Sequence, residues 1–183
     1  MAVPRPAPRR DDPRTFARVF LNSWDPLGQP VDRLAGGSEA KAFLPGWAKL
    51  PRDTDWSALA DVLRPWRNRL RAAVQAEIAG DAAPLRRLLR QGLADVAWQA
   101  SADPALTFRP SPDQPADAQV RGLVLQGLAE ELQATGAARL RQCRSLPCVE
   151  LFFDHSKRGA QHFCCKRCAT RVHVARHRQR RTA

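Results

Sequence analysis

Apolar residues recur at helical spacing along most of this chain. Phe16, Val19, Phe20 and Trp24 follow one another at intervals of 3, 1 and 4, which predicts a short amphipathic helix over TFARVFLNSWD. The Pro- and Gly-rich stretch 25–37 predicts a loop. Ser38 stands where it can cap a short helix running to about Trp47. Thr54 or Asp55 opens a longer one. Its stripe is Trp56, Leu59, Leu63, Trp66, Leu70, Val74 and Ile78, and Gly80 marks its stop. Pro65 falls inside this stripe and is expected to kink or split the helix near residue 64. Arg64, Arg67 and Arg71 lie along another face, which reads as solvated.

Asp81 with Pro84 marks the next helix start, Leu85, Leu88 and Leu89 its apolar face, and Gly92 its end. DVAWQASADPALTFRP shows apolar alternation on both sides of an ASADP turn, which predicts a β-hairpin. A last helix starts near Pro115, buries Val120, Val124, Leu128 and Leu132 at i+4 spacing, and closes at Gly136. The pattern is that of a mainly α (α+β) body with one small hairpin and no internal repeat.

Charge divides the chain unevenly. Residues 15–138 hold 14 basic and 14 acidic side chains, whereas residues 139–183 hold 12 basic ones against only Glu150 and Asp154. Residues 1–14 are Pro- and Arg-rich and read as a disordered tail. The expected organisation is that tail, a helical domain over 15–138, and a basic module over 139–183. Arg outnumbers Lys 26 to 4, but a bias toward Arg alone would not empty the last 45 residues of acids. Segregated positive charge points to a polyanion, because each Arg or Lys that neutralises a phosphate releases a counterion. No run approaches 18 apolar residues, so no membrane-spanning helix is expected. No apolar leader opens the chain, which predicts a cytoplasmic protein with reduced thiols.

The candidate chemistry is concentrated near the C-terminus. All five Cys and all four His lie beyond residue 140, and the body has no Gly-rich phosphate loop, so no enzyme is expected. Cys143-x4-Cys148, a 15-residue spacer and Cys164-Cys165-Lys-Arg-Cys168 form a zinc signature in a reduced compartment. Cys143 and Cys148 flank a turn containing Pro147. VELFFDHSKRGAQHF has apolar stretches on either side of SKRG, as a hairpin would. Cys164 and Cys168, at i and i+4, project to one side of a helix's first turn, where the dipole favours thiolates. Four thiolates would close a structural zinc site. Cys165 makes a C-x-x-C with Cys168 and is an alternative to Cys164. A set of Cys165, Cys168, His173 and His177 is a further alternative, but it orphans Cys143 and Cys148. Val149, Leu151, Phe152, Phe153, Phe163 and Val172 are expected around the metal, whose binding would supply folding energy that so short a module lacks.

After Cys168, ATRVHVARHRQRR predicts a basic helix. Cys168, Val172 and Ala175 would face the zinc. Arg167, Arg171 and Arg178 would form an exposed stripe, with Lys166, His173, His177 and Arg180 beside it.

These residues resemble the CGNR zinc finger of bacterial proteins. The resemblance rests on C-x4-C, F-F-D-x-S-K-R and F-C-x3-C-A-T-R-V-x-V-A-R-H-R. The family's Cys-(Gly/Ala)-Asn-Arg motif stands here as Cys168-Ala169-Thr170-Arg171, with Thr170 departing from Asn. The family's third cysteine follows an aromatic residue, which implies Cys164 after Phe163 and so the set Cys143, Cys148, Cys164 and Cys168. Phe20-Leu21-Asn22-Ser23 resembles a segment of the helical ABATE region that usually precedes this finger, described as a stress-induced transcription regulator.

The resemblance implies a treble-clef-like zinc finger, hairpin plus basic helix, holding one structural Zn2+. It also implies a DNA-binding transcriptional regulator. Arg167, Arg171, Arg176 and Arg178 are the expected contacts to duplex DNA. The alternative is a zinc-stabilised module that docks a protein or RNA. A small-molecule effector and a homodimer are the other partners considered.

Overall fold

The computed structural model describes residues 12–100 and 107–182. The expected tail lies outside them except at its last three residues, as does most of the ASADP turn. Six helices and two antiparallel two-stranded hairpins are present among the described residues.

Helix α1 (Pro13–Leu21) starts at Asp12, whose carboxylate accepts from the Arg14 N–H, and buries Phe16, Ala17, Phe20 and Leu21. It lies mainly along α5 (Ala116–Thr135). The approach is close: a Cβ on Gly127 would stand 1.9 Å from the Pro13 carbonyl oxygen. Between these helices run α2 (Gly37–Phe43), α3 (Trp56–Ile78) and α4 (Ala83–Ala94). Gly36, not Ser38, is the N-cap of α2, and the Ser38 hydroxyl turns to Glu39 instead. Asp55 caps α3 by accepting from Ser57 and Ala58.

Helix α3 runs unbroken through Pro65 for 23 residues. Leu59, Ala60 and Leu63 before the proline and Trp66, Leu70 and Val74 after it are anchored in one core. That burial outweighs the lost backbone hydrogen bond. Gly80 and Gly136 end α3 and α5 at positive φ, a conformation glycine adopts without strain. Gly92 is not a stop, because α4 continues to Ala94. A Cβ on Gly92 would meet Leu125 Cδ1 at 2.4 Å, so this glycine lets α4 approach α5.

Strands β1 (Trp98–Ala100) and β2 (Phe108–Pro110) form the expected first hairpin. The second hairpin differs from expectation. Strand β3 (Leu140–Gln142) pairs with β4 (Leu151–Phe153), so its ends enclose the Cys143–Cys148 turn, not SKRG. The apolar residues before SKRG do form a strand, but those after it form none.

The reading of Arg64, Arg67 and Arg71 as a solvated face is overturned for two of the three. Arg67 is 1% exposed and Arg71 7%. Arg67 grips Asp32 bidentately, at 2.5 and 2.9 Å, and also donates to Ser23 and Asn68. Burial tends to raise the Asp32 pKa, but the Arg67 hydrogen bonds, the Leu34 N–H and the nearby guanidinium charges together lower it. The pair clamps the loop after α1 onto α3. Arg64 remains partly exposed, bonded to Asp61 and to the Ala35 carbonyl.

Two substitutions test this packing. Gly127→Ala should destabilise the protein by about 1–3 kcal/mol, because the new methyl meets backbone. Asp32→Ala should cost about 3–5 kcal/mol by leaving Arg67 buried and unpaired. Urea unfolding followed by circular dichroism measures both.

Candidate metal centre

The C-terminal module is assembled by short local bonds. The Cys143 N–H donates to the Glu150 carbonyl at 2.9 Å and carries the β3–β4 ladder one step further. The Cys148 N–H donates to the Ser145 carbonyl at 2.8 Å and closes the turn between the first two cysteines. The Arg144 N–H donates to the His162 carbonyl at 3.0 Å, which draws the segment leading to Cys164 alongside. Helix α6 (Lys166–Thr182) then begins, with Cys168 in its first turn.

Asp154 holds the intervening loop and is 1% exposed. Its two carboxylate oxygens accept from the Ser156 and Gln161 N–H groups at 2.8 and 2.9 Å. Burial pushes its pKa up, but those hydrogen bonds and the charge of Arg139 outweigh it and hold the carboxyl at about 2. Sequence reading passed over this residue, although Asp-x-Ser is the pattern of an Asx-turn.

Four thiols converge as a result. The Sγ atoms of Cys143, Cys148, Cys164 and Cys168 all lie within 4.8 Å of one another. Cys148 to Cys164 is 3.8 Å and Cys164 to Cys168 is 3.6 Å. A zinc ion with four sulfurs at about 2.3 Å gives tetrahedral edges of about 3.8 Å, so the set fits this metal. Cys165 is exposed and outside the set, and so are His173 and His177.

As free thiols the cluster is poorly served. Burial pushes the pKa of Cys148 and Cys164 up, and that of Cys168 to about 12. Only at Cys143 do backbone N–H groups, from Cys164 and Ser145, outweigh burial and lower it. A dication resolves the conflict, since zinc ligands must be thiolates. The Ser145 hydroxyl, inside the Cys143–Cys148 turn, and Arg171 Nη1, one turn beyond Cys168, are buried without partners among the described residues.

Packing around the sulfurs follows strand alternation. Phe152 on β4 sits among Cys143, Cys148 and Cys168, with Phe163 beside them. Its neighbours Leu151 and Phe153 point the other way, into the main core, and so do not surround the metal as expected.

The module is bolted to the helical body. The Asn22 amide donates to the Leu151 carbonyl at 2.8 Å and accepts from the Leu151 N–H at 2.9 Å, as a neighbouring strand would. Arg71 donates to the carbonyls of Leu21 and Val149, at 2.5 and 3.0 Å. Arg18 stands 3.9 Å from Glu150, and Gln75 bonds Gln142.

Past the metal site α6 is exposed from His173 through Arg181. Arg167, Arg176 and Arg178 lie on its open surface. Arg171 does not belong to an exposed stripe: it is half-buried, with Nη1 sealed. It follows Cys168 by three residues and so is turned only about 60° from the buried cysteine. Ala175 is exposed rather than directed at the metal.

Fold and site together define a helical protein carrying a zinc finger with one structural zinc. Residues 139–181 match the CGNR zinc finger family. No curated protein matches the chain.

Cys148→Ser should lower bound zinc from one per chain to none and remove helix α6 signal, checked by metal analysis and circular dichroism. Asn22→Ala should leave zinc bound but cost about 1–3 kcal/mol of docking, since both Leu151 backbone groups lose their partner. Faster amide exchange across β4 would report it.

Proposed function

We propose that the zinc module binds duplex DNA and that the protein regulates transcription. The supporting observation is the charge and placement of α6. Seven of its 17 residues are Arg or Lys and none is acidic. One end is fixed at the metal cluster through Cys168, and from His173 through Arg181 the helix is exposed. A stiff helix bearing exposed guanidinium groups suits phosphates and the base edges of the major groove. Arg167, Arg176 and Arg178 are the contact residues in this reading. Arg171 acts through its neighbours, because one of its nitrogens is sealed. A closed four-thiolate zinc offers no open position for water, so the reading includes no catalysis.

The Phe20-Leu21-Asn22-Ser23 segment supports treating the body as an ABATE-type region, and its Asn22 is the residue that ties body to finger. Among the described residues no helix is long and apolar enough to cross a membrane.

Gel-shift titration with random duplex DNA tests the proposal. Zinc-loaded protein should bind, and log K should fall linearly with log salt, by about 0.9 per phosphate contacted. Arg176→Ala with Arg178→Ala should weaken binding by about tenfold and flatten that slope. Absence of binding at low ionic strength, or preference for structured RNA over duplex DNA, rejects it.

A further inference from the structure

The turn that carries the first two metal ligands also carries the most exposed large apolar side chain among the described residues. Leu146 is 82% exposed, and Phe108, the next, 53%. Pro147 beside it is exposed as well. A leucine left in water forgoes its burial free energy, so the fold itself does not call for one at this position.

The support beneath Leu146 is firm. Cys143 and Cys148 are buried at the two ends of the turn, and Ser145, next to the leucine, is sealed from solvent. The Cys148 N–H donates to the Ser145 carbonyl at 2.8 Å, which fixes the backbone on either side of Leu146. The Arg144 N–H donates to the His162 carbonyl at 3.0 Å, and Cys148 Sγ stands 3.8 Å from Cys164 Sγ. The tip of the turn is thereby held at a short, fixed distance from the start of α6.

Charge selects the kind of partner. Arg144, Lys157, Arg158, Lys166 and Arg167 are exposed. The two acids of the module are not: Asp154 is buried, and Glu150 is half-buried with Arg18 at 3.9 Å. Every exposed charge over residues 139–181 is therefore positive. One leucine in such a surface is a small foothold for a bilayer, where binding scales with buried apolar area. A protein-docking site presents a contiguous apolar patch, whereas Val174 of α6 is the module's other exposed large apolar side chain among the described residues. A wedge between base pairs needs only one apolar side chain on a rigid support, with cations beside it for the phosphates.

We infer that, when the module binds duplex DNA, Leu146 inserts between two base pairs from the minor groove and kinks the duplex, while Arg144 meets a flanking phosphate. The inference rests on the duplex binding proposed above and adds a division of labour to it: α6 supplies affinity, and the turn deforms the DNA. Easily unstacked pyrimidine–purine steps, such as TA, are the steps a wedge selects.

The zinc-loaded full chain tests this on a short duplex with 2-aminopurine at a TA step and a dye at each end. On binding at low ionic strength, 2-aminopurine fluorescence should rise, and energy transfer between the dyes should report a kink of about 20–90°. Leu146→Ala should remove the rise and most of the kink but weaken binding only about threefold, since the cost of unstacking disappears with the wedge. Leu146→Met keeps an apolar wedge and should retain both signals. Duplex binding without rise or kink, or both signals intact in Leu146→Ala, overturns the inference and leaves the proposed DNA binding standing. No duplex binding at low ionic strength overturns both. Capture by phosphatidylserine vesicles that Leu146→Ala abolishes, with no unstacking of the duplex, assigns the leucine to a membrane and overturns the wedge.

Discussion

Three cysteines and one phenylalanine are the whole buried cluster at the heart of the C-terminal module. That is too little apolar surface to offset the conformational entropy of more than forty residues. The attraction between a dication and four sulfurs is therefore the constraint on which the module rests. It brings together a turn at 143–148 and a helix start at 164–168, segments that share little other packing. It also turns three unfavourably placed thiols into thiolates.

The metal does not act alone, because the module is also held from outside. Leu151 and Phe153 face the body while Phe152 faces the sulfurs, so one three-residue strand serves two cores. The polar edge of that strand is completed by a side chain: the Asn22 amide reproduces the paired bonds of a missing strand neighbour. Arg71 adds a buried link from α3 to the backbone next to Cys148. The metal cluster and the end of α1 are thus joined through β4 by direct contacts.

The apolar stripes of α1, α3 and α5 were legible because each helix tells its own period. The thiol set was legible because turn and helix geometry are local, with the family resemblance separating Cys164 from Cys165. What escaped was decided at long range. Nothing in the sequence around Arg67 and Arg71 distinguishes a buried guanidinium from a solvated one. Their partners are 35 residues away at Asp32, 50 at Leu21 and 78 at Val149. The second hairpin was misplaced because alternating residues around SKRG have the right character, whereas the true register is set by the cysteine turn. Gly92 looked like a helix stop because a glycine that admits a neighbouring helix and a glycine that ends its own look alike in sequence.

Arginine itself serves two ends in this chain, and acids decide which. In the body, basic and acidic residues balance, and several guanidinium groups are drawn inward or onto acids, while Arg52, Arg69, Arg86, Arg87 and Arg90 stay exposed. Arg67 meets Asp32, Arg121 pairs with Asp117 one turn away, and Arg64 bonds Asp61. In α6 no acid stands within the helix to absorb the charge. Seven cations along 17 residues repel one another, and a helix so charged is stable only if something holds its start or a polyanion covers its length. The metal cluster supplies the first condition at Cys168. For the second, an extended array of phosphates is the kind of surface that would serve.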